Sequence, residues 1–176
     1  ILVRTRTAFV GQLVRALKTR NIPVSGVDRM VLGEQLAIMD VLAAAEFALL
    51  PGNDLALACL LKSPLAGWNE EQLYDACIDR PATLWERVQE MAEAPTLAWL
   101  RGLIASAASD HPYEFFARLL QRPCPGDTQS GMRGLLGRLG SEAADPLEEL
   151  LSAAISYERA NSPTLQGFVS WQKSED

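Results

Sequence analysis

Apolar positions along this 176-residue chain follow two different patterns, and the change falls near residue 27. Ile1-Leu2-Val3 is a short apolar run of the kind that fills a buried strand. Phe9, Val10, Leu13, Val14 and Leu17 then recur at helical spacing, Asn21 can close that helix, and Ile22-Pro23-Val24 opens a second extended piece. A strand, a helix and a strand within about 25 residues make a βαβ-like unit, which belongs in an α/β layer. No partner strands follow. Residues 1–26 are therefore expected to be the edge of a larger α/β domain, and the chain a piece of a longer protein.

Beyond Val31 the spacing is helical. Residues 34–50 place Leu36, Ile38, Met39, Leu42, Ala45, Phe47 and Leu49 at mixed three- and four-residue intervals, and Pro51-Gly52 stops the run. Asn53 predicts an N-cap for 54–62, with Leu55, Leu57, Leu60 and Leu61 as the apolar set. Ser63-Pro64-Leu65-Ala66-Gly67 breaks that helix. Asn69 caps the next, with Glu70 and Glu71 in its first turn. Thr83, Thr96 and Asp110 mark three further starts, the last with Pro112 in the first turn. PCPGDTQSG at 123–131 is the clearest loop, and helices resume at 132–139, 146–160 and 164–173. The expected fold class is mainly α: an irregular multi-helix domain over 27–176, behind a strand–helix–strand remnant over 1–26.

Composition agrees with a packed domain, at 48% hydrophobic and 22% charged residues. The net charge of −6 argues against binding nucleic acid over the whole surface. Its distribution is uneven. Residues 1–27 hold Arg4, Arg6, Arg15, Lys18 and Arg20 and no acid, a balance of +5 that leaves −11 for the remainder. That basic stretch is either a solvated helix face or a face turned toward phosphates. Cys59, Cys77 and Cys124 form no CxxC pair, and His111 alone cannot complete a zinc set with them. Cys59 and Cys77 lie in apolar helical patterns and are expected to be buried thiols, as suits a reducing cytoplasm. No segment reaches the roughly 18 apolar residues of a membrane span, and no signal peptide is visible, so neither a membrane partner nor export is expected.

Motifs of catalysis are missing: there is no GxxxxGK[ST], HExxH or GxSxG. His111 reads as a surface or capping residue, and Glu70/Glu71 and Glu148/Glu149 as first-turn acids. Trp68, Trp85, Trp99 and Trp171 read as core anchors before base-stacking platforms. No catalytic or metal-binding residue is assigned. Two places stand out. Arg4-Thr5-Arg6 ends the opening strand, where α/β layers place ligands and where guanidinium groups suit phosphate. Lys62-Ser63-Pro64-Leu65-Ala66-Gly67-Trp68-Asn69 is a helix–tight loop–helix unit that either joins two helices or offers backbone N–H groups to a phosphate. Arg118, Arg122, Arg133 and Arg138 form a third candidate around the 123–131 loop.

The order of ILVRTR, LVRALKTRNIPVSG, the helix EQLAIMDVLAAAEFALL and the loop LKSPLAGWNEEQL resembles the UvrD/RecB class of superfamily 1 DNA helicases. HPYEFFARLL, LLGRLGSEAADPLEELLSAAISYE and SPTLQGFVSW are most similar to its AddA branch, the helicase–nuclease subunit of bacterial double-strand-break repair. The resemblance covers essentially the whole chain. It implies that 1–26 carry helicase motif IV of the second RecA-like domain and that 27–176 are its helical 2B insertion. It further implies a parent enzyme that moves 3′→5′ along single-stranded DNA, using ATP and Mg²⁺ held outside this chain, with no cofactor or catalysis in the chain itself. By position, Arg4 and Arg6 fall in motif IV, near ATP. Lys62, Ser63, Gly67, Trp68 and Asn69 fall on the loop that touches duplex backbone. Implied partners are DNA at a duplex/single-strand junction and the other subunit of a helicase–nuclease heterodimer, in a cytoplasmic, nucleoid-associated setting. The competing expectation is a helical docking module that binds no nucleic acid.

Overall fold

A computed structural model describes residues 32–79 and 82–174, so the unit expected over 1–26, with Arg4 and Arg6, lies outside the described residues. After a 3-10 turn (Leu32–Glu34) come α1 (Leu36–Leu49), α2 (Asp54–Lys62), α3 (Glu70–Cys77), α4 (Leu84–Met91), α5 (Ala94–Ser109), α6 (Pro112–Gln121) and α7 (Gly131–Leu139). A second 3-10 turn (Ser141–Ala143) leads into α8 (Ala144–Ala160) and α9 (Leu165–Ser174). The expected mainly helical class is what the described residues form; they contain no strand, only an isolated bridge between Cys124 and Asp127.

Helix α1 is the hub. Ala37, Ile38, Val41, Leu42, Ala43, Ala44, Ala45, Phe47 and Ala48 are buried, which takes in most of its circumference. A helix that is apolar almost all round must be covered on several sides. Here α2, α5, α7, α8 and α9 all pack against it. A second centre is aromatic: Phe116 meets Phe115 and Phe168 edge-on at ring distances of 5.4 and 5.5 Å. Tyr157 lies 5.5 Å from Phe168, so this cluster joins α6, α8 and α9. Such tilted pairs add to the area they bury.

Local chemistry sets the helix starts. Asn53 accepts the Ala56 N–H at 3.2 Å. Asn69 with Gln72, and Thr83 with Glu86, form reciprocal capping boxes. Two expected caps are displaced. α5 starts at Ala94 with Glu93 at the cap position and Pro95 in the first turn, so Thr96 is buried inside the helix rather than capping it. Asp110 closes α5, and His111 occupies the cap position of α6 without a side-chain cap bond. The cysteines also differ from expectation: Cys59 and Cys77 are exposed, and Cys124 is buried. In α2 the inward set is Ala56, Leu57, Leu60 and Leu61, which turns Cys59 outward. In α3 only Ala76 is buried.

Candidate nucleic-acid interface

Helix α2 ends in a sealed turn. The Ser63 hydroxyl donates to the Leu60 carbonyl at 2.7 Å and accepts the Leu65 N–H at 3.2 Å. The Gly67 N–H donates to Ser63 O, and the Trp68 N–H returns to Leu61 O at 2.9 Å. Gly67 sits at φ 74°, in the left-handed region that a side chain resists. Ser63 and the Trp68 ring are therefore buried. Neither side chain faces solvent, because the turn uses the hydroxyl and the core uses the indole. Asn69 is exposed, but its side-chain oxygen is taken by the Gln72 N–H at 2.8 Å.

The loop after α6 closes on this turn. Cys124 and Asp127 exchange backbone bonds at 2.9 and 3.1 Å, and the Gly126 N–H donates to Leu65 O at 2.8 Å. A Cβ at Gly126 would lie 1.9 Å from the Pro64 carbonyl oxygen, so only glycine fits. Asp127 accepts the N–H groups of Gln129 (2.8 Å) and Ser130 (3.1 Å). Those bonds, with the nearby Arg133, hold its carboxyl below the usual range.

Between the two loops and α7 lies a shallow cleft of about 470 Å³, lined by Pro64, Gly67, Gly126, Asp127, Arg133, Gly134, Gly137 and Arg138. Gly134 lets α7 approach the two loops, since a Cβ there would lie 3.2 Å from Asp127 Cβ and 3.3 Å from the Pro64 carbonyl oxygen, while Gly137 leaves the backbone open between Arg133 and Arg138. Arg133 pairs with Asp127 at 3.2 Å yet keeps 60% of its side chain exposed. Arg138 is exposed, and its charge acts on Asp40 of α1. A recess floored by backbone and flanked by two guanidinium groups admits a phosphate-bearing strand. The carboxylate of Asp127 limits how much anionic charge it can take.

The sequence candidates thus separate. Gly67, Arg133 and Arg138 come together. Lys62 is ion-paired with Glu70 at 2.6 Å and lines a different groove, together with Arg138. Arg118 is spent within the fold: it meets Asp110 at 3.3 Å and Glu114 at 2.9 Å, and donates to Ser106 Oγ at 3.4 Å. Arg122 is exposed but does not line the cleft. Gly126, Gly134 and Gly137 were not among the candidates. The three-residue spacing of glycines in GMRGLLGRL is the trace of Gly134 and Gly137 in the sequence, and Gly126 shows only as one turn former in PCPGDTQSG.

Among the described residues no group of His, Cys, Asp and Glu could hold a metal ion, and no helix is long and apolar enough to cross a membrane. No protein-family model matches the chain, and no curated protein or solved structure matches it.

Proposed function

We propose that this chain is part of an AddA-type, UvrD/RecB-like 3′→5′ DNA helicase–nuclease of double-strand-break repair, and that its helical region meets the duplex ahead of the motor. The order of sequence elements supports the family. The glycine-floored cleft between Arg133 and Arg138 supports the contact, and it is the observation that carries it. Lys62 and Arg118, already paired with acids, contribute little. ATP and Mg²⁺ belong to the parts of such a motor outside this chain, so the chain alone turns nothing over.

The test is fluorescence anisotropy of a labelled forked duplex at low salt, with three proteins: wild type, Arg133→Glu/Arg138→Glu, and Arg122→Glu. The double reversal should lose at least about tenfold in affinity, since each phosphate contact carries much of such weak binding. Arg122→Glu should change it by less than about twofold. Equal loss in both variants would mean that general charge, and not the cleft, attracts the DNA.

A second reading, a docking module that binds no nucleic acid, has its own observation. Leu36, Met39 and Leu55 stand exposed along a wide groove between α1 and α2. Absence of any binding of the forked duplex by the wild-type chain would leave this reading in place.

A further inference from the structure

The groove beside α1 and α2 has a volume of about 650 Å³, and large apolar side chains line it among charged ones. Leu36 is 57% exposed, Met39 53% and Leu55 74%. Three large apolar side chains at one site are more than scattered surface residues, and methionine is common where partners dock. From Leu36 to Glu46, α1 lines the groove over ten residues, which is about 15 Å at 1.5 Å per residue. That length accommodates about three turns of a second helix with anchors at i, i+3/i+4 and i+7.

Charge narrows the occupant further. Glu46 is neutralised by Lys173 of α9 at 2.8 Å, and Lys62 of α2 by Glu70 at 2.6 Å. Arg138 of α7 stands exposed to water, and Cys59 of α2 is an exposed thiol. Asp40 is different. It is half-buried on the groove wall, accepts no hydrogen bond among the described residues and is balanced only by the Arg138 charge. A carboxylate half-removed from water without a donor is a poor contribution to the fold but a good socket for a cation.

We propose that this groove seats an amphipathic helix of a partner protein, whose apolar face covers Leu36, Met39 and Leu55 and whose lysine or arginine meets Asp40. The inference rests on the docking reading and names the partner's chemistry. Arg138 and Pro64 line both this groove and the cleft, whereas Arg133 lines the cleft alone, so Arg133 is the residue that separates the two sites.

The test uses the full chain and a synthetic helix-forming peptide of about 14 residues, with leucines on one face and a single central lysine. A second peptide carries glutamate in place of the lysine. Binding is read by peptide anisotropy and by protection of the Cys59 thiol from alkylation. Cys77 is exposed but does not line the groove, so it serves as the control within the same molecule.

Near pH 7.5 the lysine peptide should bind at least about tenfold tighter than the glutamate peptide. It should slow Cys59 alkylation and leave Cys77 unchanged. The preference should collapse in Asp40→Asn, and in wild type near pH 5, where Asp40, facing Lys62, Arg138, Lys173 and Glu46 across the groove, takes up a proton. Leu55→Glu should weaken both peptides, and its exposed position keeps the fold intact. Equal affinity for the two peptides, tighter binding of the glutamate peptide, or no protection of Cys59 would each overturn the proposal. Arg133→Glu, which addresses the DNA contact, should leave peptide binding unchanged, so the two readings fail separately.

Discussion

Replacing Asp40 by asparagine should stabilise the protein above neutral pH and do little in acid. Burial beside α2 pushes the Asp40 carboxyl from 3.8 up to about 6, against the opposing pull of Arg138. A carboxyl that is harder to ionise in the folded chain makes folding less favourable once it is ionised. The penalty is therefore absent well below 3.8, grows as pH rises through the interval to about 6, and is complete above it. At 1.36 kcal/mol per pH unit the interval corresponds to about 3 kcal/mol. Solvent reaches the groove, which reduces the net effect to about 1–2 kcal/mol. Asparagine keeps the shape without the charge. In urea unfolding near pH 8 the variant should gain roughly 0.5–1 M in midpoint, for a slope of about 2 kcal/mol/M. The gain should shrink to near zero by about pH 4. Asp127 acts in the opposite sense, since its depressed carboxyl supports the fold at neutral pH and loses that support in acid. The difference between variant and wild type removes this contribution. An equal gain at both ends of the range, or none near pH 8, would refute the reasoning.

Other outcomes follow from particular contacts. Gly126→Ala forces a Cβ against the Pro64 carbonyl and should cost about 3 kcal/mol in chemical denaturation, with weaker duplex binding because the cleft wall shifts. Arg118→Ala leaves the buried Asp110 carboxylate without its cation and should cost about 2–4 kcal/mol, whereas Arg122→Ala on the surface should change stability by under about 0.5 kcal/mol. With a thiol reagent under native conditions, Cys59 and Cys77 should react readily. Cys124, buried and with its thiol pushed up by burial, should react only on unfolding.

Much of the helical region was legible because its cues are local. Asn53, Asn69 and Thr83 cap the helices they were expected to cap, since an N-cap needs only its own side chain and a backbone N–H two or three residues ahead. Thr96 misled because Pro95 suits a first turn equally well, and the helix begins three residues earlier, at Ala94 with Glu93 as its cap. Asp110 misled because the same side chain types end one helix and begin the next; its partner, Arg118, is a tertiary contact. The faces of α2 and α3 were harder. Short helices with apolar residues on several sides do not declare which side meets the core, so Leu55 and Cys59 face out beside the buried Leu57 and Leu60. At the site, Gly67, Arg133 and Arg138 were named, but their meeting depends on Gly126 fitting beneath Pro64, some sixty residues away in sequence. Nothing local announces that approach. The burial of Ser63 and Trp68 was hidden for the converse reason, because a polar hydroxyl and an indole in a loop look available until the turn closes on them.

The most direct measurement is the salt dependence of forked-duplex binding by the intact chain. Contact through Arg133 and Arg138 predicts that log Kobs falls against log salt with a slope near −2, the value for about two neutralised phosphates on duplex DNA. The same plot for Arg133→Glu/Arg138→Glu should be nearly flat. An identical slope in wild type and variant, or a wild type that shows no salt dependence, would contradict a phosphate contact at this cleft.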